Sequence, residues 1–84
     1  MAAITLYTTP SCGYCHSAKR LLIARGHAFT EIDVGADPAL RQRVSRANGG
    51  YRTVPMIFVG DRFIGGYREL AGLDHAGELH RLLA

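Results

Sequence analysis

Thr9-Pro10-Ser11-Cys12-Gly13-Tyr14-Cys15-His16 is the stretch that decides how this chain is read. Before it, residues 3–7 alternate and carry strand-prone Ile4, Thr5 and Tyr7, which predicts a first strand. Pro10 cannot continue a hydrogen-bonded ladder, so the strand stops there. After it, Cys15, Ala18 and Leu22 recur at spacings of three and four, predicting a helix from about Gly13 to Arg25. Gly26 suits the left-handed residue that follows a last turn. The two cysteines therefore sit where a strand hands over to a helix.

The remaining elements follow with short connections. Residues 28–34 alternate, with Ala28, Thr30, Ile32 and Val34 on one side and Phe29, Glu31 and Asp33 on the other. Asp37-Pro38 is an N-cap acceptor followed by a first-turn proline. It opens a second helix striped by Leu40, Val44 and Ala47 and closed by Asn48-Gly49-Gly50. Residues 56–59 and 62–64 flank Gly60-Asp61, a two-residue hairpin loop. Gly65-Gly66 precedes one last helix carrying Leu70, Leu73, Ala76, Leu79 and Leu83. The order is β-α-β-α-β-β-α. A strand-helix-strand unit of this length implies a parallel pair with a right-handed crossover. The hairpin adds antiparallel strands, so an α/β fold is expected, with a four-stranded mixed sheet and three flanking helices.

Length and composition bound the function. Eighty-four residues allow a single domain, 1–84, with one small core. A 48% hydrophobic and 20% charged composition excludes a disordered chain. The longest apolar runs fall well short of the roughly 20 residues a membrane span needs, and no basic, apolar leader opens the chain. A net charge of +3 suits small anionic ligands better than nucleic acid. A cytoplasmic address is expected, and in that compartment a close cysteine pair is catalytic or metal-binding rather than structural.

Cys12 and Cys15, at i and i+3 around a helix start, can come within disulfide range, near 5.5 Å between Cα atoms. The loop they close is tiny, so the bond contributes little stability and suits being made and broken. Free N–H groups at a helix start favour an anion on Cys12. Thiols of this type can titrate as low as roughly 3.5, against about 8.5 for a free thiol. Cys15 lies one turn in and faces inward. Cys12 is thus the attacking thiolate and Cys15 the resolving thiol. Two cysteines cannot fill a four-thiolate zinc site. His75 and His80, the nearest approach to a second ligand pair, diverge by roughly 140° on a helix.

Tyr7-Thr8 before Cys-Gly-Tyr-Cys, then Thr53-Val54-Pro55, then Ile64-Gly65-Gly66 run almost the length of the chain. Their order and distances resemble the glutaredoxin family of the thioredoxin superfamily, most closely its short bacterial dithiol members. Read alone, Val54-Pro55 is an ordinary strand start and Gly65-Gly66 a tight turn. The resemblance implies a thioredoxin-like fold with Pro55 in cis beside Cys12. It implies a glutathione site built from Tyr14, Arg52, Thr53, Val54 and Pro55 on one side and Gly66, Tyr67, Arg68 and Glu69 on the other. In it, Val54's backbone would pair with the cysteinyl part, as an added strand does. Gly65-Gly66 would allow close approach of ligand, and the following helix would receive the γ-glutamyl carboxylate. Glutathione would be co-substrate, with no tightly bound cofactor.

Two departures from the family stand out. No lysine precedes Cys12, where Thr8, Thr9 and Pro10 stand, and Tyr67-Arg68-Glu69 replaces a small residue followed by two polar or acidic ones. Glu69 can supply one carboxylate to the ligand's ammonium, and Arg68 can hold a carboxylate in a two-pronged bond. Arg52 reads equally as a partner of the glycyl carboxylate or as a solvated charge, and Tyr14 as a groove flank or an exposed aromatic. Lys19, Arg20, Arg41, Arg43 and Arg46 read as solvated, and His16 as exposed.

Two further roles remain open on the resemblance. Gly66-Tyr67-Arg68 is similar to a stretch of redoxins that serve ribonucleotide reductase and are recharged by thioredoxin reductase. Gly13, a small residue after the first cysteine, is compatible with a 2Fe–2S cluster held by Cys12 of two chains and two glutathiones. The expected partners are glutathione and disulfide-bearing or glutathionylated proteins, with neither nucleic acid nor membrane, and the chain is expected to be a monomer.

Overall fold

The computed structural model describes residues 3–83. β1 (Ile4–Thr8) leads through residues 9–12 into α1 (Gly13–Ala24), and β2 (Phe29–Asp33) returns parallel to β1. α2 (Pro38–Ala47) is capped by the Asp37 side chain, which accepts the Leu40 N–H at 3.1 Å. β3 (Met56–Val59) and β4 (Arg62–Gly65) form the hairpin, and the sheet order is β2-β1-β3-β4. β1 and β3 are antiparallel, as are β3 and β4, so the four-stranded mixed sheet is as expected.

One face of the sheet makes the core. Ile4 and Leu6 of β1 stand opposite Val59 and Ile57 of β3, and Ala18 and Leu22 of α1 pack onto them with Leu70 and Leu79. The same face of β2 presents Phe29, which packs on this cluster, and Glu31. A carboxylate is tolerated there because Thr8 Oγ1 donates to Glu31 Oε2 at 2.7 Å and Lys19 Nζ pairs with it at 2.9 Å. Lys19 was expected to be solvated; it is instead three-quarters covered along its side chain and tied to the sheet. The bond to Thr8 first, and the bond to Lys19 second, hold the Glu31 carboxyl below its ordinary range.

The C-terminal segment departs from the expected single helix. It is two: α3 (Tyr67–His75) and α4 (Glu78–Leu83), giving four helices among the described residues in place of three. The periodic leucines run through the break because Leu70 and Leu79 both reach the core. Gly77, at φ +74°, turns the chain between them, and Ala76, expected inward, is exposed. In α2, Leu40 and Val44 are half-buried and Ala47 is exposed, so no residue of this helix is fully buried.

Candidate active site

Cys12 is itself the N-cap of α1. Its φ and ψ of −95° and 114° are extended, and its Sγ accepts the Cys15 N–H at 3.1 Å. A sulfur at an N-cap replaces the hydroxyl or carboxylate usual there, and the unpaired N–H groups of the first turn favour negative charge on it. The Cys12 thiol lies 3.4 Å from the Val54 carbonyl, to which it donates when protonated. The strand-to-helix junction and the loop before β3, 42 residues apart in sequence, thus meet at one sulfur. The Val54–Pro55 peptide bond is cis.

Cys15 faces the other way. It is buried against the core side of α1, and both cysteines are free thiols. Burial, and next the bond to Cys12, push the Cys15 thiol up to about 12. The two sulfurs are therefore unlike, one half-exposed at a helix start and the other hidden and held protonated.

Beside Cys12 lies a cleft of about 280 Å³. Its walls bring together Thr53, Val54 and Pro55 from the loop before β3, Tyr14 from α1, and Gly66, Tyr67, Arg68 and Glu69 from the head of α3. The Tyr14 and Tyr67 rings stack at 6.1 Å and 22°, and Tyr14 is 61% exposed. Arg52 does not line the cleft. It is exposed, and its carbonyl accepts from Arg41 Nη2 at 3.2 Å.

The head of α3 differs in detail from the expectation. Space over the two glycines is taken up by the protein itself. A Cβ on Gly65 would stand 2.6 Å from Glu69 Oε1, and one on Gly66 would stand 2.7 Å from the Tyr51 hydroxyl. Glu69 Oε1 accepts the Gly66 N–H at 2.8 Å, closing the first turn of α3, and a further bond from the Tyr51 hydroxyl at 3.3 Å. Tyr51 also lines the cleft, and sequence reasoning missed it. The available signal was an aromatic directly after Gly49-Gly50, two residues from Thr53.

A thiol-capped helix, a cis proline loop against that thiol, and a mixed sheet with parallel β1 and β2 define a thioredoxin-like redox protein. Residues 4–64 match the glutaredoxin family model. Glutaredoxin 3 of Escherichia coli K12 is 40% identical over 83 residues, covering 99% of both chains. The solution structure of a Brucella melitensis glutaredoxin is 41% identical with a TM-score of 0.87, over 99% of this chain and 89% of that one. A buckwheat glutaredoxin–glutathione complex is 26% identical with a TM-score of 0.90, over 98% of this chain and 76% of that one. The chain belongs to the glutaredoxin family, a family of thiol–disulfide oxidoreductases.

Proposed function

We propose that this protein is a glutathione-dependent oxidoreductase that reduces protein disulfides and glutathione mixed disulfides. One observation carries the reading: the Cys12 sulfur stands between the Cys15 N–H and the carbonyl of Val54, a residue that lines the neighbouring cleft. Cys12 thiolate attacks a substrate sulfur, forming a mixed disulfide on Cys12 and expelling the other sulfur as a thiolate, which takes up a proton. Cys15, once deprotonated, attacks Cys12 Sγ and releases the second thiol. Two glutathiones then reduce the Cys12–Cys15 disulfide and leave as one glutathione disulfide. The potential range of about −200 to −230 mV typical of glutaredoxins suits glutathione as reductant.

The cleft supports glutathione as ligand. Loss of the Cys12 proton leaves the Val54 carbonyl open to a ligand N–H. The N–H groups at the head of α3 and the Arg68 guanidinium offer a carboxylate site. The glutathione complex of the buckwheat relative supports the same assignment. We place the protein in the reducing cytoplasm, acting as a monomer on disulfide-bearing or glutathionylated proteins; no helix among the described residues is long and apolar enough to cross a membrane.

The decisive assay is NADPH consumption with glutathione and glutathione reductase, beside thioredoxin reductase alone. Turnover in the first sustains the proposal, and turnover only in the second replaces it with the redoxin reading. Cys12→Ser abolishes turnover, whereas Cys15→Ser keeps deglutathionylation and loses dithiol reduction of protein disulfides.

Gly13 favours a second activity for the same sulfur. Nothing stands within 4 Å of where its Cβ would be, so residue 13 adds no bulk beside Cys12. No group of three metal-ligating side chains exists among the described residues, and Cys15 is buried. A 2Fe–2S cluster would be shared, with Cys12 from each of two copies and glutathione sulfurs completing it. Anaerobic reconstitution with glutathione, followed by absorption and sizing, decides: a coloured dimer supports sharing, and a colourless monomer excludes it.

A further inference from the structure

Tyr51, in the loop before β3, touches three other elements of the fold. Its ring packs edge-on against Phe63 of β4 at 5.0 Å and 75°. Its carbonyl accepts from the Ser45 hydroxyl of α2. Its own hydroxyl reaches the head of α3, donating to Glu69 Oε1 and filling the space over Gly66 that a side chain there would need. Glu69, exposed at the head of α3, thus has its Oε1 held against the backbone by two donors, the Gly66 N–H and the Tyr51 hydroxyl. This carboxylate borders the N–H groups that a ligand carboxylate would use. Left loose, it competes for the same donors and repels the same charge.

We propose that Tyr51 is a positioning residue that pins the Glu69 carboxylate against Gly66 and so keeps the head of α3 open to the carboxylate of the bound ligand. The proposal rests on the glutathione reading of the cleft and adds a residue that acts on ligand affinity without touching the reacting sulfurs. Two donors leave Glu69 ordered and its charge partly spent, while Arg68, exposed on the cleft wall, supplies the attraction. Removing the hydroxyl alone leaves the ring on Phe63 in place, so the fold has no reason to change.

The test is steady-state kinetics on a small glutathione mixed disulfide, in the glutathione reductase-coupled assay, for four proteins: wild type, Tyr51→Phe, Glu69→Ala and the double variant. A hydrogen bond to an exposed charged group at 3.3 Å predicts that Tyr51→Phe raises KM about three- to tenfold and leaves kcat within about twofold. The effect disappears in the Glu69→Ala background, because the hydroxyl then has no carboxylate to hold. Gly66→Ala, which forces the hydroxyl away from the other side, reproduces the KM rise in wild type. An unchanged or lowered KM in Tyr51→Phe, a parallel fall in kcat, or an equal penalty with and without Glu69 each overturns the role of Tyr51. A wild-type protein that shows no turnover with the glutathione substrate is a different result. It removes the glutathione reading, and this proposal falls with it.

Discussion

Resolution by Cys15 should be steeply dependent on pH across the neutral range. The perturbation is pH itself, applied to protein carrying glutathione on Cys12 with no free thiol in solution. With Cys15 pushed up to about 12 in the dithiol form, its thiolate is scarce throughout the neutral range. Each pH unit then multiplies the reactive form, and the rate, about tenfold. In the mixed disulfide Cys12 is no longer a thiol, and its own upward influence on Cys15 is lost. Burial, the largest cause, remains and still acts upward on Cys15, so the rise should continue through pH 8. Rapid-quench sampling of released glutathione from pH 6.5 to 9 measures it, with Cys15→Ser as the control that releases none. A plateau below pH 8 would refute the argument, because it would mean that the buried thiol ionises near neutrality. Equal release from the Cys15→Ser protein would refute the assignment of the resolving sulfur.

Three further outcomes follow from the packing. Glu31 is held below its ordinary 4.5 in the fold, so its contribution to stability is full above that pH and lost as pH falls through the lower, folded value; Glu31→Gln should flatten this part of an acid unfolding curve, and an unaltered curve would count against the Thr8 and Lys19 bonds. Leu22→Ala empties a fully buried site between α1 and the sheet and should cost about 2–5 kcal/mol, read as a lower urea midpoint at constant slope. Gly65→Ala meets both a φ of +116° and the Glu69 side chain, so a loss of about 1–3 kcal/mol in the same assay is expected, whereas a neutral result would show that Glu69 moves aside at no cost.

The parts of the site that were legible in the sequence are those set by local chemistry. A cysteine after a proline-broken strand and before a helical period has to be near the N-cap, and it is. Tyr14, Thr53 and Arg68 converge because each sits within two residues of a feature that fixes the backbone, namely the cap, Pro55 and Gly66. What was missed depends on how distant faces meet. Alternation in β2 gave two faces without saying which lies against α1, so the Lys19–Glu31–Thr8 linkage stayed hidden. The leucine period passes unbroken through Gly77 because two helices at an angle can both aim leucines at one core. Tyr51 was invisible because its partner, Glu69, is 18 residues away and already had a ligand role assigned to it.

With no fully buried side chain, α2 is the element that local opening costs least. It is nevertheless wired to the site: Ser45 holds the Tyr51 carbonyl and Arg41 the Arg52 carbonyl, just ahead of Thr53. An occupant of the cleft that steadies this loop therefore also damps the fraying of α2. Amide protons there should exchange more slowly when ligand is bound, although none of the helix's side chains lines the cleft.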